Sequence, residues 1–230
     1  MLDVARIKAI TLDLDDTLWP IWPAIHRAEQ ALADWLAHRA PGAAAVFADP
    51  EARLAVREHV VQTRPDMGHD LSAIRRESIR TALHRSDEDT SLAEPAFEVF
   101  FAARMQVDLF DDVLPALAAL SARFPIVAVS NGNAHVGRVG LGPFFVDSVS
   151  ASEFGVAKPD PRIFHAAAGL AGVSSAEVLH VGDDAALDVI GALGAGMQTV
   201  WVNRVQNVWR HAEQPHHSVA SLAELVVLLA

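Results

Sequence analysis

Acidic residues cluster where a short apolar run ends, in Asp13-Leu14-Asp15-Asp16-Thr17. Alternate side chains of an extended segment share a face, so Asp13 and Asp15 point the same way and Asp16 points away. Two neighbouring carboxylates suit a division of labour. One attacks phosphorus as a nucleophile; the other protonates the leaving oxygen and then activates water. A magnesium ion, which prefers oxygen ligands and keeps several waters, would make their proximity tolerable and neutralise a substrate phosphate. The same residues would equally serve as an acidic surface turn, and the motif alone does not separate the two readings.

Later groups shift that balance. Ser130-Asn131-Gly132-Asn133 offers a hydroxyl and backbone N–H groups to phosphoryl oxygens. Lys158, before Pro159, is a point charge able to neutralise both nucleophile and phosphate. Gly182-Asp183-Asp184, with Asp188 five residues after Asp183, supplies further acidic ligands for a metal and its water shell. Each group ends an apolar run or precedes a helical pattern, and ligands of open α/β sheets collect at the carboxyl ends of strands.

The elements that must position these groups are legible as short apolar runs at 7–13, 125–130, 178–182 and 199–202, suited to parallel strands buried on both faces. Helical patterns at 113–123, 161–170, 185–195 and 222–229 alternate with them, which predicts a doubly wound α/β core. Residues 23–107 differ, showing helical periodicity at 25–39, 50–62, 71–85 and 95–105 and no strand pattern. The expected organisation is therefore a core of residues 1–22 and 108–230 with a helical cap of residues 23–107. Within the cap, 40–45 and 86–91 read as loops.

Bulk properties narrow the partners. The 230 residues are 51% hydrophobic, ample for a buried core. A net charge of −11 argues against nucleic acid or an anionic membrane as a general partner, since both need a positive field. Cysteine is absent, which excludes disulfides, thiolate metal sites and cysteine nucleophiles. No segment is apolar enough to span a membrane and no export signal is visible, so a cytoplasmic protein is expected.

The order Asp-x-Asp-x-Thr, Ser-Asn, Lys-Pro, Gly-Asp-x-x-x-x-Asp resembles the haloacid dehalogenase-like superfamily throughout the core. The resemblance implies a magnesium-dependent phosphatase in which Asp13 is the nucleophile, Asp15 the general acid/base, and Ser130, Asn131 and Lys158 the phosphate-binding groups. It further implies a metal held by the Asp13 carboxylate, the Asp15 backbone carbonyl and Asp183. Thr17 would order the loop and Asp188 would support Lys158 or metal-bound water; Asp184 would touch the metal shell or face solvent. A helical insert after the first motif resembles the first cap class of the superfamily, a lid that closes over the site.

Single residues weigh the relatives. Dehalogenation needs neither a leaving-group acid at Asp15 nor magnesium. The phosphonatases use a cap lysine, whereas the lysines here are Lys8 and Lys158, both in the core. A phosphomutase or a sugar-phosphate phosphatase would share the core machinery, and a phosphometabolite-binding protein would need neither Asp13 nor Asp15. Thr11 to Trp19, His69-Asp70 with Arg75, Ser130 to Ala134, Gly140 to Gly142 and Leu179 to Asp184 resemble most the bacterial phosphatases of flavin mononucleotide and of the phosphorylated ribitylaminouracil precursor of riboflavin. That branch implies a phosphomonoester with a planar heterocycle and a polyol, with His69 and Arg75 as candidate substrate contacts. Trp19-Pro20-Ile21-Trp22 departs from it; the two indoles would stack on a heterocycle or pack where core meets cap. His211, His216 and His217 are read as solvated, with no role in the site.

Overall fold

The computed structural model describes residues 1–230. Strands β1 (Ala9–Leu12), β2 (Ile126–Ser130), β3 (Asp147–Ser150), β4 (Val178–Gly182), β5 (Gln198–Val202) and β6 (His217–Val219) form one parallel sheet in the order β3-β2-β1-β4-β5-β6. Every residue of β1, β2, β4 and β5 is buried, as mostly apolar runs require of strands covered on both faces, with Thr11, Ser130, His180, Gln198 and Thr199 as the buried polar exceptions within them. The outer strands β3 and β6 are short and polar, with one buried residue each, which blunts the two edges. This is the doubly wound order, and its direction reverses between β1 and β4, where a crevice opens at the carboxyl ends of the strands.

Contacts divide the chain into Met1–Pro20 with Asp108–Ala230, and Ile21–Val107. The second unit is all helical: α1 (Ile21–Ala37), α2 (Pro41–Ala48), α3 (Pro50–Thr63), α4 (Leu71–Arg85) and α5 (Ala93–Arg104), with short 3₁₀ turns between. The expected boundary after residue 22 thus falls inside the first turn of α1. Along α1, Ala24, Ala28, Leu32 and Leu36 recur every fourth residue and give one buried stripe. Ala28, Leu32 and Leu36 close a core with Phe47 of α2, Ile79 and Leu83 of α4, and Phe97 and Phe100 of α5.

The expected loop at 40–45 is instead the start of α2. Pro41 occupies its first turn, where a missing N–H costs nothing, and the Glu88 carboxylate accepts the N–H groups of Gly42 and Ala43 at 2.8 Å each. That cap comes from 45 residues away, so local sequence could not announce it. By contrast α3 and α4 carry their own caps, Asp49 and Asp70.

In the first unit, α6 (Val113–Ser121), α7 (Ala151–Phe154), α8 (Pro161–Leu170), α9 (Gly191–Gly194) and α10 (Leu222–Leu228) cover the sheet. Asp160 caps α8 ahead of Pro161, and Ser221 caps α10. The expected helix at 185–195 is a π-helical turn, Ala185–Ile190, followed by α9. Strands β3 and β6 were absent from the sequence expectation because three or four residues with one buried side chain carry no hydrophobic run. His217 lies in β6, and His216 accepts the Thr199 N–H at Nδ1 at 3.1 Å, so His216 is a strand-edge anchor rather than a solvated side chain. No helix is long and apolar enough to cross a membrane.

Candidate functional site

Asp13 follows directly on β1, with its N–H donated to the Val181 carbonyl of β4 at 2.9 Å. The chain then folds into a tight loop: Leu18 N–H reaches the Leu14 carbonyl and Asp16 N–H the Trp19 carbonyl, each at 2.8 Å. Asp16 sits at φ +57°, a left-handed position that aspartate tolerates better than most residues. Because of this fold-back, the Trp19 indole donates to Asp15 Oδ1 at 2.8 Å. Thr17 Oγ1 lies 3.2 Å from Asp13 Oδ2 and 3.0 Å from Asp183 Oδ1, linking the loops after β1 and β4.

Lys158 is the hub of the buried polar cluster. Its ammonium is 2.5 Å from Asp13 Oδ1 and 2.6 Å from Asp188 Oδ1, and the side chain is 3% exposed. Position comes from the loop after β2: Asn131 Oδ1 accepts the Lys158 N–H at 2.7 Å, and Asn131 Nδ2 donates to the Lys158 carbonyl at 2.9 Å. The Asn131 carboxamide is therefore committed to the lysine backbone, which leaves the backbone N–H as the group of Asn131 read toward a phosphate. Ser130 ends β2, buried, with its Oγ accepting the Gly132 N–H at 2.9 Å. Gly132 has no room for a side chain, since a Cβ there would lie 2.4 Å from Asp15 Oδ2.

Asp188 lies in the π-helical turn and is buried. Its Oδ2 accepts the Asp184 N–H at 2.9 Å, and its Oδ1 is shared between Lys158 and His180 Nε2 at 3.3 Å. Gly182 is required here: a Cβ would meet the Asp188 carboxyl carbon at 2.4 Å. Asp184 is exposed, the second of the two placements expected of it, and its Oδ1 accepts the N–H groups of Ala186 and Leu187, a capping role for the π-helical turn that the sequence reading did not assign. The backbone of Asp183 is fixed from β5, where the Trp201 indole donates to its carbonyl at 2.7 Å.

Electrostatics follow from this crowding. Carboxylate oxygens of Asp13, Asp183 and Asp188 lie within 4.8 Å of one another. Burial, reinforced by the charges of Asp188 and Asp183, pushes Asp13 well above the usual carboxylate range despite the pull of Lys158. Burial, then the Asp188 charge, raises Asp183 to about 7. Burial also opposes ionisation of Asp188 and Lys158, but their mutual attraction outweighs it, holding Asp188 below and Lys158 above their ordinary values. Asp13 and Asp183 are thus carboxylates short of positive charge. Hard oxygen donors in this condition fit magnesium, which would lower both values, whereas the two oxygens of Asp188 are already engaged.

Sequence reasoning assigned no role to His180 or Thr11. Register pairs Thr11 of β1 with His180 of β4, and Thr11 Oγ1 lies 2.9 Å from His180 Nδ1. Burial holds the imidazole below its usual value, and a neutral ring protonated on Nε2 satisfies both neighbours by donating to Asp188 and accepting from Thr11. A histidine inside an apolar strand was the available signal. Arg204 was also missed; it reaches the Thr17 carbonyl at 3.1 Å and pairs with Asp112 through both terminal nitrogens.

The two candidates outside this cluster belong to the helical unit. Arg75 on α4 donates to Glu29 at 2.7 Å and lies over the Phe100 ring at 4.3 Å, so its charge is already matched within that unit. His69 lies in the turn before α4, half-buried. Trp19 is fully buried, whereas Trp22 is 66% exposed.

A family model described as haloacid dehalogenase-like hydrolase matches residues 7–196. Among characterised proteins the chain is 32% identical to the 5-amino-6-(5-phospho-D-ribitylamino)uracil phosphatase of Escherichia coli (strain K12), over 98% of both chains. It is 26% identical to the N-acylneuraminate-9-phosphatase of Mus musculus, over 99% of this chain and 96% of the other. Among solved structures, a 2-haloacid dehalogenase from Pseudomonas syringae pv. Tomato DC3000 superposes with a TM-score of 0.91 at 38% identity, covering 96% of this chain and 98% of that one.

Proposed function

We propose that this chain, which belongs to the haloacid dehalogenase-like hydrolases, is a magnesium-dependent phosphomonoesterase that works through phosphorylated Asp13. The observation that carries the reading is the pair of carboxylates in unlike surroundings: Asp13 buried against Lys158, and Asp15 bonded to an indole. Nucleophile and proton carrier need such different settings.

In the first step an Asp13 carboxylate oxygen attacks phosphorus and the bond to the ester oxygen breaks. Asp15 delivers a proton to that oxygen, so the alcohol leaves neutral. In the second step Asp15, now a carboxylate, takes a proton from water as the water oxygen attacks phosphorus. The acyl phosphate bond breaks, and Asp13 and inorganic phosphate are released. Lys158 neutralises charge on the nucleophile and the phosphoryl oxygens, Ser130 and the backbone N–H groups after it receive those oxygens, and Asp188 with His180 holds the lysine. Magnesium, held by the Asp13 and Asp183 carboxylates and the Asp15 carbonyl, would supply positive charge to the phosphate.

For substrate, the full-length similarity to the Escherichia coli enzyme favours the ribitylaminouracil phosphate, and the motif resemblance adds flavin mononucleotide, likewise a phosphorylated polyol bearing a heterocycle. Dehalogenation is a second reading because of the dehalogenase-named structural relative. It leaves Asp15 unexplained, since a departing halide takes no proton.

The test is phosphate release by wild type and Asp13→Asn, with and without magnesium, across flavin mononucleotide, the ribitylaminouracil phosphate and several sugar phosphates. Chloride release from 2-chloropropionate is measured in parallel. Metal-dependent phosphate release lost in the variant is the expected result, with the flavin-type substrates preferred. Release from sugar phosphates alone would replace the substrate class, and chloride release without phosphate release would replace the reaction.

A further inference from the structure

We propose that Trp19 is a positioning residue for proton transfer: its indole fixes Asp15 Oδ1 and thereby assigns the transferable proton to Oδ2. The inference rests on the reading of Asp15 as the general acid/base. An indole N–H only donates, so the oxygen it touches is held as an acceptor. A proton on Oδ1 would turn that oxygen into a hydroxyl, a weaker acceptor for the Trp19 N–H held 2.8 Å away, whereas a proton on Oδ2 leaves Oδ1 the carbonyl oxygen the indole is best bonded to. When Asp15 is an acid its hydrogen therefore sits on Oδ2.

The surroundings agree on where that oxygen points. Oδ2 lies against Gly132, close enough that a Cβ there would approach to 2.4 Å, and the same Cβ would lie 3.2 Å from Ser130 Oγ. The transferable proton is thus carried beside the loop whose hydroxyl and N–H groups face the phosphoryl oxygens in the proposed reaction. Trp19 itself has no freedom to turn. It is 0% exposed, its carbonyl accepts the Asp16 N–H, and residues 15 and 19 form an isolated bridge. A buried indole N–H that lost Asp15 would be left unsatisfied, so the bond constrains both partners. The loop from Leu14 to Trp19 is in this sense a hairpin that returns a donor to the carboxyl four residues before it.

The experiment compares wild type with Trp19→Phe, which keeps an aromatic ring and removes the N–H. Both are assayed with magnesium on p-nitrophenyl phosphate, whose leaving group needs no proton, and on glycerol 2-phosphate, whose leaving group does. The readout is kcat/KM, which reports the steps up to release of the alcohol. We expect the alkyl substrate to lose roughly 10- to 100-fold more than the aryl one, the loss associated with a hydrogen bond to a charged group. A purely packing role lowers both equally, and that result, or no change in either, overturns the proposal. Should Trp19→Phe fail to fold, site-specific replacement by 3-benzothienylalanine keeps the bicyclic shape with sulfur in place of N–H and is held to the same comparison. Absence of phosphate release by the wild type from both substrates overturns the phosphatase reading, and this inference with it; wild-type turnover with an unaltered leaving-group pattern in the variant overturns the inference alone.

Discussion

Replacing Lys158 by methionine keeps most of the side-chain volume and removes an ammonium that sits 2.5 Å from Asp13 and 2.6 Å from Asp188. Removing one partner from a buried ion pair costs about 3–5 kcal/mol, because a charge is left uncompensated. Here the stranded carboxylates have an escape: they take up protons. In the wild type the Lys158 charge outweighs burial and depresses Asp188, so that contribution is present above the unfolded carboxylate value and fades as pH falls through the folded one. In the variant the pull of Lys158 is gone, so burial drives Asp13 further up and lifts Asp188 against the remaining hydrogen bonds from the Asp184 N–H and His180. A raised acid stabilises below its unfolded value and loses that contribution as pH rises through the folded one. The gap between wild type and variant therefore widens from pH 5 to pH 8, reaching about 3 kcal/mol or more at the upper end. Urea unfolding followed by the fluorescence of the five tryptophans, in chelator so that bound metal does not compensate, measures it. The same variant should lose about 10²–10³-fold in kcat, the scale for losing one fixed positive group at a developing charge. A gap that is equal at both pH values, or below about 1 kcal/mol at pH 8, would refute the picture of a lysine compensating buried carboxylates.

Gly182→Ala places a methyl group 2.4 Å from the Asp188 carboxyl carbon, and because Asp188 is pinned by Lys158 and the Asp184 N–H, relief must come from the site itself. We expect about 1–3 kcal/mol of destabilisation together with a fall in kcat, checked by urea titration and steady-state kinetics; unaltered kcat would mean that Asp188 can move without consequence. Arg75→Ala breaks the pair with Glu29 and the stacking on Phe100. It should cost about 2–4 kcal/mol in thermal or urea unfolding, and a normal unfolding curve with a raised KM for large substrates alone would restore Arg75 as a substrate contact.

The core was readable because strands buried on both faces must be mostly apolar, and the polar residues at their carboxyl ends are then conspicuous. Asp13, Ser130 and Asp183 stood out for that reason. The edge strands β3 and β6 lack such runs, and helix α2 relies on Glu88 for its cap, so neither had a local signature. The supporting network was less legible still. His180 touches Thr11 only because of strand register, and Trp19 touches Asp15 only because the loop doubles back. Asn131 is similar: its backbone N–H was read toward a phosphate, but that its carboxamide is spent on the Lys158 backbone follows only from the fold.

That carboxamide has a bearing on how the fold tolerates change. Lys158 is separated from β2 by a stretch containing β3 and α7, yet its depth in the site is set by a two-point clasp to the residue just after β2. The ammonium is therefore gauged against the central sheet rather than against the length of the intervening chain. Closing a longer loop costs little, about 0.6 kcal/mol for each doubling of length. The exposed turns between Asn133 and Ala157, outside β3 and α7, can accordingly lengthen or accept an inserted module while the lysine keeps its station, provided the clasp at Asn131 survives.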